Sequence, residues 1–206
     1  MTSQAHIVID LSQQRLSLMD GSTLIKSYPV CTAKNGAGEE NGSECTPRGR
    51  HIIRVKIGEG AALGSVFVAR RLTGERYEQQ LASEQPDRDW ILSRILWLSG
   101  DERGKNRLGT VDTMRRYIYI HGAPDALLTK IPSSHGCIRM FNADVMDLFD
   151  RVKAGARVMI AEWVIYSKAV DLGIKNWDGN LYYWETKSVK NTSVIPSILA
   201  CFFSVL

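Results

Sequence analysis

Tyr117-Ile118-Tyr119-Ile120-His121-Gly122 alternates aromatic and β-branched residues up to a histidine, and Pro132-Ser133-Ser134-His135-Gly136-Cys137-Ile138-Arg139-Met140 leads from a polar loop into an apolar run. The first stretch has the period of a strand. It places His121 at the strand's end, where Gly122-Ala123-Pro124-Asp125 turns the chain away. The second places Cys137 where a loop enters an ordered element, a common position for a reactive side chain held by rigid neighbours. Two of the chain's four histidines and one of its four cysteines fall in these stretches.

The residue types suit acyl transfer. A thiol attacks as thiolate, and a free cysteine with a pKa near about 8.5 holds little thiolate at neutral pH. An imidazole within reach takes the proton, and the charge pair favours the thiolate. Gly136 lets a substrate approach the backbone, and the N–H groups of His135, Gly136 and Cys137 can face an oxyanion. Arg139 offers a fork of donors to a carboxylate. Two other readings stand beside this one. Cys137 taken alone is also a small buried hydrophobe. His121, His135 and Cys137 are also residue types that bind zinc, although no paired-cysteine spacing accompanies them.

Working outward, His6 to Asp10, Arg15 to Met19 and Leu24 to Thr32 read as strands separated by Ser12-Gln13-Gln14 and Asp20-Gly21-Ser22. A Gly-rich acidic loop from Lys34 to Glu44 precedes the tight turn Thr46-Pro47-Arg48-Gly49, and a strand follows over His51 to Ile57. Ser65 to Arg70 is a further strand, Leu72-Thr73-Gly74-Glu75 a turn, and Leu81 to Arg88 a polar connection. Trp90 to Leu98 fits a buried strand, and Asp101 to Val111 a charged loop bordering the site. Asn142 is the expected N-cap of a helix whose stripe is Val145, Leu148, Phe149 and Val152. Gly155 ends that helix, and Arg157 to Ala161 gives a last strand. One short helix among about eight strands predicts a mainly β, β-sandwich-like mixed-sheet domain.

Across both stretches the sequence reads His121, a spacer, then Ser134-His135-Gly136-Cys137-Ile138-Arg139, and it resembles the signature of the YkuD-type L,D-transpeptidases. Those are cysteine enzymes that cross-link or modify bacterial peptidoglycan. The opening meander with Asp10-Leu11-Ser12-Gln13-Gln14-Arg15-Leu16 and the Thr46-Pro47-Arg48-Gly49 turn are similar to the family pattern. The spacer is shorter than in better-known members, and Arg139 stands where many carry Asn. The resemblance implies Cys137 as nucleophile and His121 as general base and proton carrier. It implies loop or oxyanion support from Ser134, His135 and Gly136, and substrate binding by Arg139. It also implies peptidoglycan stem peptides and carbapenem-type inhibitors as ligands, with no metal or organic cofactor. Hydrolysis by the same dyad, an L,D-carboxypeptidase, and a wall-binding module without activity are the rival functions.

The resemblance runs from residue 5 to 163, the expected catalytic domain, and leaves 164–206 as a tail of unassigned role. A 44% hydrophobic, 23% charged chain with net charge +4 is ordinary for a globular protein. Arg70-Arg71 and Arg115-Arg116 read as solvated strand ends rather than a nucleic-acid stripe. The family implies the cell envelope, yet Met1 to Leu11 has no secretory pattern, so cytoplasmic action stays open. Cys31 and Cys45 are expected as free thiols. The apolar run ending at Leu206 is too short to span a bilayer, which takes about 20 residues, and contact with a membrane surface stays open.

Overall fold

In the computed structural model, which describes residues 5–162, strand alternation and one amphipathic helix account for most of the architecture. The elements in order are β1 (His6–Asp10), β2 (Arg15–Asp20), β3 (Thr23–Pro29), β4 (Gly49–Ile57), β5 (Ser65–Val68), β6 (Arg71–Arg76), α1 (Gln79–Glu84), β7 (Ile91–Gly100), β8 (Tyr119–Gly122), β9 (Ile138–Met140), α2 (Asn142–Arg151) and β10 (Arg157–Ala161). The strands form one mixed sheet, ordered β3-β2-β1-β10-β4-β7-β5-β6, with β8 added on β7 and β9 on β8. Two neighbouring pairs are parallel, β1 with β10 and β8 with β9, and the others are antiparallel. The domain is mainly β, as its patterning predicts.

β7 is the hub, because β4, β5 and β8 all pair with it. Burial on both faces suits its apolar run of Leu92, Ile95, Leu96 and Leu98. Ser93 interrupts the run with φ of 62°, and the β7–β8 register shifts between Leu92 and Ile95. Its hydroxyl accepts from Gly64 N at 2.9 Å and donates to Asn142 Oδ1 at 2.6 Å, so the bulge ties the β5 entry to α2.

On one face of the β7–β8–β9 segment, Leu96, Leu98, Ile120, Ile138 and Met140 join the main core with Val145, Leu148 and Phe149 of α2. Burying each of those three helix side chains contributes roughly 1.5–3 kcal/mol. Lys56 closes the helix by donating to the carbonyls of Phe149 at 2.6 Å and Val152 at 2.7 Å. The opposite face carries a smaller cluster of Phe67, Ile95 and Tyr119, with Trp97 and Cys137 packed on it.

Several expectations need correction. Leu72 to Glu75 is not a turn but the middle of β6, an exposed edge strand paired with β5. The turn lies earlier, at Ala69 and Arg70, with φ of 46° and 68°. The polar connection contains α1, which buries no residue and so has no apolar period to read. The helix N-cap is Phe141, while Asn142 sits inside α2 and its amide donates to Ala123 O at 3.0 Å. β8 starts at Tyr119 rather than Tyr117, whose φ is 56°, and ends at Gly122, one residue past His121. Readings that fall on Ser167 to Lys190 and Val194 to Leu206 lie outside the described residues.

Candidate active site

β8 and β9 run parallel, with Ile120 opposite Ile138 and His121 opposite Arg139. Partners in a ladder share a face, and side chains alternate along each strand. Ile120 and Ile138 point into the main core. Tyr119 and His121 therefore emerge on the other face, beside Cys137 and Arg139. His121 and Cys137 are thus diagonal neighbours on adjacent segments, 16 positions apart in sequence.

His121 is fully buried, and its Nδ1 lies 2.8 Å from Gly122 O. A carbonyl only accepts, so Nδ1 carries the proton and Nε2 keeps its lone pair. Nε2 is buried and has no hydrogen-bond partner among the described residues. Burial lowers the imidazole's pKa from its ordinary value, against a nearby Asp89 charge that raises it. The neutral ring, which is the form that can take a proton, is favoured.

Cys137 is half-buried. Its thiol donates to Tyr117 O and its sulfur accepts from Tyr119 N, each at 3.4 Å. Burial against the aromatic cluster pushes its pKa up to about 12, with the Tyr119 N–H pulling the other way. Burial thus disfavours the charged form of both side chains.

The loop before Cys137 is braced from inside. Ser134 Oγ donates to Cys137 O at 2.6 Å and accepts from Gly136 N at 3.3 Å. Thr46, from the Thr-Pro-x-Gly turn, donates to Gly136 O at 3.0 Å and accepts from Ala33 N at 3.1 Å. Gly136 has φ of +124°, and a Cβ there would meet Ile118 Cδ1 at 2.9 Å and Cys45 O at 3.2 Å. His135 is exposed on the same loop. Cys31, Cys45 and Cys137 are free thiols. Cys31 frames the site through a backbone bridge to Arg139.

Arg139 does not reach into solvent. Its Nη2 donates to Asp89 Oδ1 at 2.8 Å, its Nη1 donates to Ser133 O at 3.2 Å, and its Nε is buried without a partner among the described residues. Asp89 escaped the sequence reading, because no local pattern ties a residue just before β7 to one in β9. Arg70 and Arg116, expected as solvated strand ends, are each tied to another segment. Arg116 is half-buried and donates to the carbonyls of Gly38, Glu39 and Cys45, the last at 2.6 Å, fastening the Gly-rich loop beside the site. Arg70, at the β5–β6 turn, donates to Tyr119 Oη at 3.0 Å and lies 4.8 Å from the ring centres of both Trp97 and Tyr117. Among the described residues no three His, Cys, Asp or Glu side chains converge as a metal site requires, and no helix is long and apolar enough to cross a membrane.

A family model described as the L,D-transpeptidase catalytic domain, YkuD, matches residues 4–160. No curated protein matches the chain. Among solved structures, an L,D-transpeptidase from Xylanimonas cellulosilytica is 19% identical, with TM-score 0.45, over 78% of this chain and 62% of that one. Bd1075 of Bdellovibrio bacteriovorus is 17% identical, with TM-score 0.49, over 80% of this chain and 50% of that one. L,D-transpeptidase 3 of Mycobacterium tuberculosis, solved with a faropenem-derived adduct, is 16% identical, with TM-score 0.46, over 76% of this chain and 59% of that one. The alignments span between half and about three-fifths of those three chains.

Proposed function

The chain belongs to the L,D-transpeptidase catalytic-domain family, and from that premise we propose that it transfers acyl groups of peptidoglycan stem peptides through a thioester on Cys137, at the cell envelope. The observation that carries this reading is the buried Nε2 of His121, a lone pair without a partner among the described residues, on the face that bears the thiol.

The reaction begins as Cys137 leaves Tyr117 O and gives its proton to His121 Nε2. The sulfur attacks the carbonyl that joins the L-centre of a diamino acid to a terminal D-alanine. Backbone N–H groups at His135, Gly136 and Cys137 face the developing oxyanion, each such donor being worth about 3 kcal/mol in comparable sites. The long 3.3 Å bond from Gly136 N to Ser134 Oγ leaves that donor free to be shared. The tetrahedral intermediate collapses, His121 returns its proton to the departing D-alanine amine, and a thioester remains. An amine then attacks the thioester, His121 takes its proton, and the thiol is restored.

Mass measurement of the intact protein with a tetrapeptide stem tests this. An acyl adduct on Cys137 with release of D-alanine is expected, followed by a new amide when an amine acceptor is supplied. Turnover to free acid with the acceptor ignored would make the enzyme an L,D-carboxypeptidase. No adduct with stem or carbapenem would leave a wall-binding module.

A further inference from the structure

Arg70 stands at the tip of the β5–β6 hairpin, where Ala69 and Arg70 both take left-handed φ, 46° and 68°. Two register pairs, Val66 with Leu92 and Phe67 with Ile91, join that hairpin to β7, and β6 lies at the end of the sheet order. The tip is therefore fastened by side chains rather than by a long ladder. Arg70 forms no ion pair with a carboxylate among the described residues. Its guanidinium goes to three rings instead. Nη1 donates to Tyr119 Oη at 3.0 Å, and the group lies 4.8 Å from the ring centres of Trp97 and Tyr117. Trp97 touches both tyrosines, edge to face with Tyr119 at 5.8 Å between centres and tilted against Tyr117 at 6.0 Å. One cation thus clasps two tyrosines two positions apart.

Those two tyrosines hold the nucleophile through their backbones. The Cys137 thiol donates to Tyr117 O and its sulfur accepts from Tyr119 N, each at 3.4 Å, and no other hydrogen bond to that sulfur occurs among the described residues. Tyr117 presents its carbonyl from a left-handed backbone, φ of 56°, which a residue with a side chain keeps where its surroundings hold it. Its ring is 53% exposed, so the bracing comes from Arg70 and Trp97. The Tyr119 N–H steadies the sulfur once its proton has gone, acting against the burial that disfavours the thiolate.

We propose that Arg70 is a positioning residue for the nucleophile: by clasping the side chains of Tyr117 and Tyr119, it fixes the carbonyl and the N–H between which the Cys137 thiol sits. The hairpin tip thereby sets the aim of a sulfur that Arg70 itself does not touch. Its value for catalysis rests on the acyl-transfer reading above.

Arg70→Gln keeps a polar side chain and removes the cation. Alkylation of Cys137 by iodoacetamide, followed on its own peptide at a fixed pH, is expected to slow about fivefold as the Tyr119 N–H drifts from the sulfur. Acylation by saturating stem peptide should slow by a similar factor, with the half-saturating concentration unchanged. Arg70→Lys, which keeps a cation over the rings, should recover part of both rates. Tyr119→Phe removes the hydroxyl and keeps the ring, so Arg70→Gln should cost less in that background than in the parent.

Three results would overturn the proposal. Alkylation unchanged or quickened in Arg70→Gln, with a lowered melting temperature, would mean that Arg70 only pins the hairpin or covers the sulfur. A raised half-saturating concentration at an unchanged maximal rate would make Arg70 a substrate contact instead. Equal losses with and without the Tyr119 hydroxyl would break the route through Tyr119. Slower alkylation together with a wild-type enzyme that no stem peptide acylates would uphold the positioning and remove the acyl-transfer reading instead.

Discussion

Asp89 and Arg139 meet at 2.8 Å, with the carboxylate half exposed and the guanidinium almost wholly covered. Arg139 stands opposite His121 in the β8–β9 ladder, so this pair sets the charge beside both reactive side chains. Asp89 raises the pKa of the Cys137 thiol and of the His121 ring, and Arg139 lowers both. In Asp89→Asn the negative charge goes and Arg139 is left without its counter-charge, so the thiol titrates lower. Alkylation of Cys137 by iodoacetamide at a fixed pH should then quicken. Stability should fall by about 2 kcal/mol, for a buried cation losing its partner. Unchanged alkylation would mean that Asp89 only holds the fold.

His121→Ala removes the lone pair that accepts the thiol proton. Acylation of Cys137 by a stem peptide or a carbapenem should slow at least about a hundredfold, the usual scale for a lost general base. Intact-mass time courses give the rate directly. Near-normal acylation would take His121 out of the mechanism.

The pH dependence separates the two groups. Burial lowers the His121 pKa, so its neutral, proton-accepting form persists below the ordinary imidazole range. The acid limb of acylation should therefore lie below about pH 6.5, the usual value for imidazole. The thiol is pushed up to about 12. Its direct alkylation should keep rising well beyond pH 9 instead of reaching a plateau, when followed on the peptide containing Cys137. A plateau near pH 8.5 would show an ordinary solvated thiol.

Alternation alone finds β1 and β10 at their observed limits, because each pairs on both edges and buries a regular face. It misses β6, whose Arg-Leu-Thr-Gly-Glu-Arg composition has neither apolar period nor strong β formers. Only pairing with β5 holds that segment extended. The site divides in the same way. Alternation gives a strand before His121, and the Ser-His-Gly-Cys run gives a loop, but their shared face comes from the parallel pairing of β8 with β9. Local sequence does not encode the partner strand. Asp89 and Arg116 stayed hidden for that reason, since each acts through a contact to a distant segment.

His51 links stability to pH through its contact with Thr113. It is 1% exposed, with Nδ1 near Gly49 O and Nε2 near Thr113 Oγ1, both at 3.0 Å. Burial lowers its pKa from 6.5 to about 4. The unfolded chain therefore binds a proton at a pH where the folded protein does not. Its contribution is complete above pH 6.5 and is lost as pH falls toward about 4, on the order of 3 kcal/mol at about 1.4 kcal/mol per unit. Denaturant melts at pH 7 and pH 4.5 should differ by less in His51→Gln than in the parent. Equal differences in both proteins would place the acid sensitivity elsewhere.

Gly136→Ala tests whether the loop geometry beside the nucleophile is required. The residue has φ of +124°, where a side chain is strained, and its Cβ would press on Ile118 Cδ1 and the Cys45 carbonyl. Ile118 Cδ1 belongs to a buried side chain, and the Cys45 carbonyl is fixed by Arg116 at 2.6 Å, so neither yields easily. The loop must move instead, which breaks the Thr46 hydroxyl bond to Gly136 O and shifts the Cys137 backbone. Stability should drop by about 1–3 kcal/mol, and acylation should fall by a larger factor than alkylation. Acylation needs the backbone donors and His121 in register with a carbonyl, whereas alkylation needs only an accessible sulfur. Equal losses in the two reactions would mean that the substitution merely buries the thiol.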